Sequence, residues 1–331
     1  MGEMDHEHII TYVKTSKVTD WKRLALRFGK DREPAIIYRS DDDRTFATYA
    51  KKGAVLWIIE SHGSAPPSLV ARFQVIGQLH AKLDINVLEK TGNSEVPSDM
   101  LLAFEYGRKL RWYAVGDPEC SRFFGYNNVS DALLKTHLEG KPAPWYGFDK
   151  WLPKFGQSLE RPRRIKSGKD ELEKIAKNLT ERSVFLSWKH CDFTKRHHEI
   201  RSIVNALVDE GIDCWWDQLA LPRSRSLARL TKHQILLKNL LDYGLDKSKV
   251  LLALGSQHWG GPSSRDPSHN WTLGEWDRSQ IQFAYEIDGL PKDGWPSNPV
   301  ATFQKDVPQT SVVRHIADKL DELRSEALDR V

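Results

Sequence analysis

The chain has 331 residues, 40% hydrophobic and 28% charged, which predicts a soluble globular protein of two domains. No apolar run approaches a membrane span, and the acidic start MGEMDHEHII is not a secretory signal, so no membrane is expected as a partner. The net charge of +4 is too small to indicate nucleic-acid binding, and three scattered cysteines (Cys120, Cys191, Cys214) argue for a reducing cytoplasm and against a disulfide framework or cysteine-rich zinc site.

In chain order, PAIIYRS (34–40), AVLWIIES (54–61), LVARFQVIGQL (69–79) and LRWYAVG (110–116) read as strands. They are rich in branched and aromatic residues and are bounded by Gly, Pro or Asp. SDALLKTHL (130–138) reads as a short helix. Together these predict a small mixed, β-rich domain over 1–160, with a partly closed barrel as one form it can take. A pocket there would present Trp57, Trp112 or Trp145. The stretch 158–178 is highly charged and free of aromatic residues. It predicts a linker over 161–178, followed by a second domain over 179–331.

The second half alternates strands and helices. SVFLSW (183–188), IDCWWD (212–217), SKVLLALGS (248–256) and PVATFQ (299–304) read as strands. The segment 193–211 has Ile200, Ile203, Val204 and Leu207 at helical spacing and stops at Gly211. Further helices are predicted over 227–244, ending at Gly244, over 270–287, and over 311–328. Such alternation implies an α/β fold with a parallel sheet covered on both faces. Ligands of such sheets lie beyond the carboxyl ends of the strands, at the switch in strand order.

Several polar and aromatic residues fall at those predicted ends. Ser187, Trp188 and Lys189 follow the first strand, with Asp192 just beyond; Asp217 follows the second and Ser256 the third. NWTLGEWD (270–277) comes next. On a helix, Trp271 and Glu275 share a face one turn apart. Glu275 then reads either as a solvated helix carboxylate or as an acid held in a cleft beside an aromatic plane. KRHHE (195–199) invites a metal reading, but adjacent histidines on a helix point about 100° apart, so a solvated face is favoured.

The ordered series VFLSWKHCD, LVDEGIDCWWDQLALP, KVLLALGSQHW and NWTLGEWD resembles a TIR domain over about residues 180–330. The resemblance implies a flavodoxin-like fold and a BB loop at 217–226. It also implies cleavage of the nicotinamide–ribose bond of NAD+, by hydrolysis or cyclisation. Glu275 is the implied catalytic carboxylate. Ser187, Trp188, Lys189, Asp217, Ser256 and Trp271 are the implied substrate-binding residues. NAD+ is then substrate, and no cofactor is required. The family further implies homo-oligomers through TIR domains and a place in bacterial anti-phage defence. Departures are the missing glycine in QLALPRSRS, the long insertion 260–269, and Trp188 where the family has tyrosine. The N-terminal half resembles PUA-like or EVE-type barrels, which implies a nucleotide or modified nucleic acid as its trigger. A TIR module that only binds other TIR domains is the alternative, and Glu275 speaks against it. A deoxyribosyltransferase-like protein, which also uses a glutamate at a ribose, is a third reading.

Overall fold

The computed structural model describes residues 7–14, 24–28, 34–40, 51–61, 67–80, 112–117, 120–129, 137–138, 163–188, 193–216, 234–256, 259, 276–288 and 299–329. The chain divides into two compact units. One takes the described residues up to Phe124, those from 128 to 176, and the start of the helix at 234–247. The other takes 125–127, 177–216 and those from Leu240 onward.

The first unit holds a mixed sheet. Its strands are β1 (His8–Lys14), β2 (Leu24–Phe28), β3 (Pro34–Ser40), β4 (Val55–Ser61), β5 (Ser68–His80), β6 (Trp112–Gly116), β7 (Arg122–Phe123), β8 (His137–Leu138) and β9 (Arg163–Ser167). The order is β2-β3-β6-β5-β4-β1-β9-β8, with β7 paired on β5. Among the described residues this path is open at β2 and β8. The β1–β4 pair is parallel and the others are antiparallel.

All four strands predicted here form, because their apolar runs fill the centre of the sheet. Trp57 on β4 is fully buried. Its indole N–H donates to Nδ1 of His8 at 3.1 Å, and the two rings stack. The Arg72 guanidinium lies 5.5 Å from the Trp57 ring and is forked by Glu173. Trp57 is therefore a core residue enclosed by partners; the side chain of Trp112, and Trp145 altogether, lie outside what is described.

Two expectations change here. The predicted helix over 130–138 ends in strand β8, paired antiparallel with β9; the rest of that segment lies outside the described residues. Where a charged linker was expected, the chain forms β9 and then helix α1 (Lys169–Glu181). The charges mislead because α1 is amphipathic: Leu172, Ala176 and Leu179 are buried while Lys174 and Lys177 face water. Gly168, at φ +87°, makes the turn between strand and helix.

The second unit holds a five-stranded sheet of β10 (Ser183–Ser187), β11 (Asp213–Trp215), β12 (Val250–Ser256), β13 (Gln282–Asp288) and β14 (Ala301–Phe303). The order is β11-β10-β12-β13-β14 and every pair is parallel. Among the described residues it also holds helices α2 (Phe193–Asp209) and α4 (Gln309–Leu328) and the later part of α3 (Gln234–Lys247). Alternation along the strands gives two faces. Val184, Leu186, Cys214, Leu252, Leu254, Phe283 and Tyr285 share one core with Ile200, Ile203 and Leu207 of α2 and Val312, Ile316 and Leu320 of α4. Phe185, Trp215, Leu251 and Ala253 face the other way, where Trp215 meets Tyr243 of α3 at 5.6 Å between ring centroids.

Helix α2 stops where its sequence predicts. Gly211 sits at φ +75°, its N–H donates to the Val208 carbonyl, and the Ile212 N–H reaches back to Leu207. That is the Schellman pattern, with buried Ile212 and Leu207 as its apolar pair. Helix α3 does not stop at Gly244; it runs on to Lys247. Gly244 is a packing glycine instead, lying under the Trp215 indole. The predicted helix over 270–287 is also corrected: residues 276–278 are helical, and Gln282–Asp288 is strand β13. QFAYEI has period 2, with Phe283 and Tyr285 on one face and Ala284 and Glu286 on the other.

The outer edge of β11 is covered by residues 125–127. Tyr126 and Cys214 exchange backbone hydrogen bonds of 2.7 and 2.9 Å. Asp213, buried, accepts from the Gly125 N–H and from the Asn127 side-chain amide, both at 3.0 Å. A Cβ at Gly125 would lie 2.3 Å from the Cys214 carbonyl oxygen, so only glycine allows this approach. The cover protects a sheet edge that would otherwise offer unpaired groups. Asp213→Ala removes the acceptor for both donors and is expected to cost about 3 kcal/mol. A urea titration should show a lower midpoint at unchanged slope.

Candidate functional site at the carboxyl edge of the parallel sheet

In this sheet β11 lies on one side of β10 and β12 on the other. The direction of strand succession therefore switches between β10 and β12, which is where doubly wound sheets take ligands. Ser187 ends β10 and Ser256 ends β12, and both are buried. Ser187 is in register with Ala253. Ser256 follows a register shift after Gly255 and pairs with Asp288. The structure thus brings two of the predicted residues, with Trp188, to one end of one sheet.

Trp188 is 8% exposed. It meets Trp216 edge to face, at 6.3 Å between centroids, on the side of the sheet covered by α2 and α4. It is a packed wall of this edge. Lys189, Asp192, Asp217, Trp271 and Glu275 lie outside the described residues, as does the BB-loop segment 217–226.

The chain that directly follows Glu275 is firmly anchored. Trp276 is buried and packs edge to face on Trp259, centroids 5.8 Å apart. Gln282 donates its amide to the carbonyls of Trp276 and Ser279, at 2.5 and 2.6 Å, which satisfies the end of the helix. Arg278 reaches Asp242 and Asp246, one turn apart on α3. Burial works against the Arg278 charge, but the two aspartates more than offset it and hold the guanidinium above its usual range. Trp276 is thus a core residue.

The sequence reading missed one residue, Glu286 on β13. It sits opposite Gly255 in the β12 register and is only 9% exposed. The signal was the alternation of QFAYEI, hidden once that stretch was assigned to a helix. Elsewhere, burial and then the neighbouring Asp213 push the Cys214 thiol far above the ordinary thiol range, so it stays protonated and inert. Among the described residues no group of three or more His, Cys, Asp or Glu is placed to hold a metal ion. Among the described residues no helix is long and apolar enough to cross a membrane.

The fold and edge define a parallel α/β unit with buried hydroxyls and a carboxylate at its carboxyl end. No family model, curated protein or solved structure matches the chain.

Proposed function

We propose that the second unit is a flavodoxin-like TIR domain that cleaves the nicotinamide–ribose bond of NAD+, as a nucleohydrolase or cyclase. The observation that carries this reading is the strand order β11-β10-β12-β13-β14, with Ser187-Trp188 and Ser256 ending the two strands that flank its switch. The TIR-like series of motifs expects Ser187, Trp188 and Ser256 at strand ends.

The chemistry asks little of the protein. The leaving group is a cationic pyridinium, so nicotinamide departs neutral and no general acid is needed. As the C1′–N bond breaks, positive charge develops on the ribose, as in glycoside hydrolysis. A carboxylate there, Glu275, stabilises that charge. Water then adds to C1′ and loses a proton, giving ADP-ribose. In the cyclising variant a ring nitrogen of the adenine takes the place of water. Trp271 supplies a plane for a flat ring and Lys189 a point charge for a phosphate.

In this reading the protein acts in bacterial anti-phage defence in the cytoplasm. Its first unit senses a trigger, a nucleotide or a modified nucleic acid, and TIR–TIR assembly completes the cleft. The test is to incubate the full chain with NAD+ over a range of protein concentrations and follow nicotinamide, ADP-ribose and cyclic product by chromatography. Release that rises steeply with protein concentration is the expected result. No release at any concentration, with or without crowding agent, leaves the non-catalytic TIR adaptor as the better reading.

A further inference from the structure

We infer that Arg278 is a positioning residue for Glu275: its two ion pairs to helix α3 clamp the helical turn that directly follows that carboxylate. This role rests on the proposed NAD+ cleavage with Glu275 as its carboxylate, and it adds a residue that none of the TIR-like motifs contains.

Glu275 is one peptide away from Trp276, so their Cα atoms are about 3.8 Å apart and a shift of the Trp276 backbone is a shift of Glu275. Trp276 opens a helical stretch of three residues, 276–278. One turn of helix makes too few hydrogen bonds of its own to persist, so tertiary contacts must hold it. Three sets of contacts do so. The Trp276 indole packs on Trp259, whose N–H donates to the Ser256 carbonyl at 3.1 Å; this ties the indole pair to the carboxyl end of β12. Gln282, the first residue of β13, holds the Trp276 and Ser279 carbonyls from the opposite end of the sheet. Arg278 supplies the third set, and among the described residues of this turn its side chain is the one that reaches a helix.

Asp242 and Asp246 lie one turn apart on one face of α3. The guanidinium gives one terminal nitrogen to each, Nη1 to Asp242 and Nη2 to Asp246, the latter at 2.6 Å. Two fixed points set an orientation, where a single one would leave a pivot. The planar guanidinium can do this and a lysine, a single point charge, cannot. The Arg278 side chain is 43% exposed and that of Asp246 62%, and ion pairs so exposed add little to stability. What the clamp supplies is geometry. Misplacing a reacting group by about 1 Å can cost about 100-fold in rate.

The test uses the full chain, at a protein concentration where the native rate per chain has levelled off. Arg278→Leu is expected to lower kcat for nicotinamide release by about ten-fold, with KM for NAD+ little changed. The melting temperature should fall by only a few degrees. Asp242→Asn with Asp246→Asn removes the same clamp from the other side and should lose as much kcat. Adding Arg278→Leu to that pair should then cost no more than about two-fold further. Losses that simply multiply overturn the inference. So does a large fall in melting temperature that parallels the loss of rate, since the ion pairs would then be holding the fold as a whole.

Hydrogen exchange reads the clamp without NAD+. The Ser279 N–H donates to the Trp276 carbonyl at 3.1 Å, and in Arg278→Leu the peptide spanning 276–282 should exchange faster. Unchanged exchange there overturns the inference. The two readings fail separately. Nicotinamide release at the native kcat in Arg278→Leu overturns the role of Arg278 and leaves NAD+ cleavage standing. No release by the native chain removes NAD+ cleavage, and the role of Arg278 toward Glu275 goes with it.

Discussion

Glu275→Ala is expected to lower nicotinamide release from NAD+ by at least about 100-fold, with little change in KM. The size follows from the charge it removes. A carboxylate about 4 Å from a developing positive charge is worth about 4 kcal/mol at an effective dielectric of 20, and single stabilising groups in enzyme sites cost 10² to 10³ in rate when deleted. Because the charge appears only in the transition state, kcat should carry the loss. Glu275→Gln should be nearly as inactive, since it keeps the shape and loses the charge. The melting temperature should hardly move in either variant, because Trp276, Arg278 and Gln282 anchor the chain just after this position. Chromatographic release assays at matched concentrations decide it. Release by Glu275→Ala at the native rate would take this residue out of the mechanism.

Gly244→Ala is expected to destabilise the second unit by about 1–2 kcal/mol, against the usual trend for helices. Inside an ordinary helix, alanine in place of glycine gains about 1 kcal/mol. Here the new Cβ would lie 1.7 Å from Nε1 of Trp215 and 2.0 Å from its Cδ1. The indole is buried and already packed on Tyr243, so it has no free space to swing into. Overpacking a filled core costs about 1–3 kcal/mol and occasionally more, which outweighs the helix gain. Chemical denaturation should show the loss directly. In Gly244→Ala with Trp215→Leu, the second substitution should cost much less than it does alone, because it removes the clash. A stability gain in the single variant would show that α3 and β11 are less closely packed than the structure has them.

Much of the second unit was legible in the sequence. SVFLSW and KVLLALGS are short, uninterrupted apolar runs, and only a strand buried on both faces needs that pattern. Gly211 marked the end of α2 because a residue with φ above zero closes a Schellman turn at least cost there. Ser187, Trp188 and Ser256 could be assigned to one edge because parallel strands all end on the same side.

Other features were not legible. Gly244 and Gly211 each follow a helical pattern with the same local look, yet one packs under an indole and the other ends a helix. QFAYEI follows a helix start closely enough to pass as its continuation; the break comes from Gln282 satisfying the helix carbonyls. The charges of 161–178 concealed an amphipathic helix.

What the sequence alone determined is the α/β alternation of the second half, most of its strands, and the place of Ser187 and Ser256 at strand ends. Local hydrophobic period and turn chemistry are written into neighbouring residues and need no distant partner. Tertiary structure alone decided the strand order, the cover of β11 by residues 125–127, the role of Gly244 and the burial of Glu286. Each depends on which distant segment comes to lie alongside.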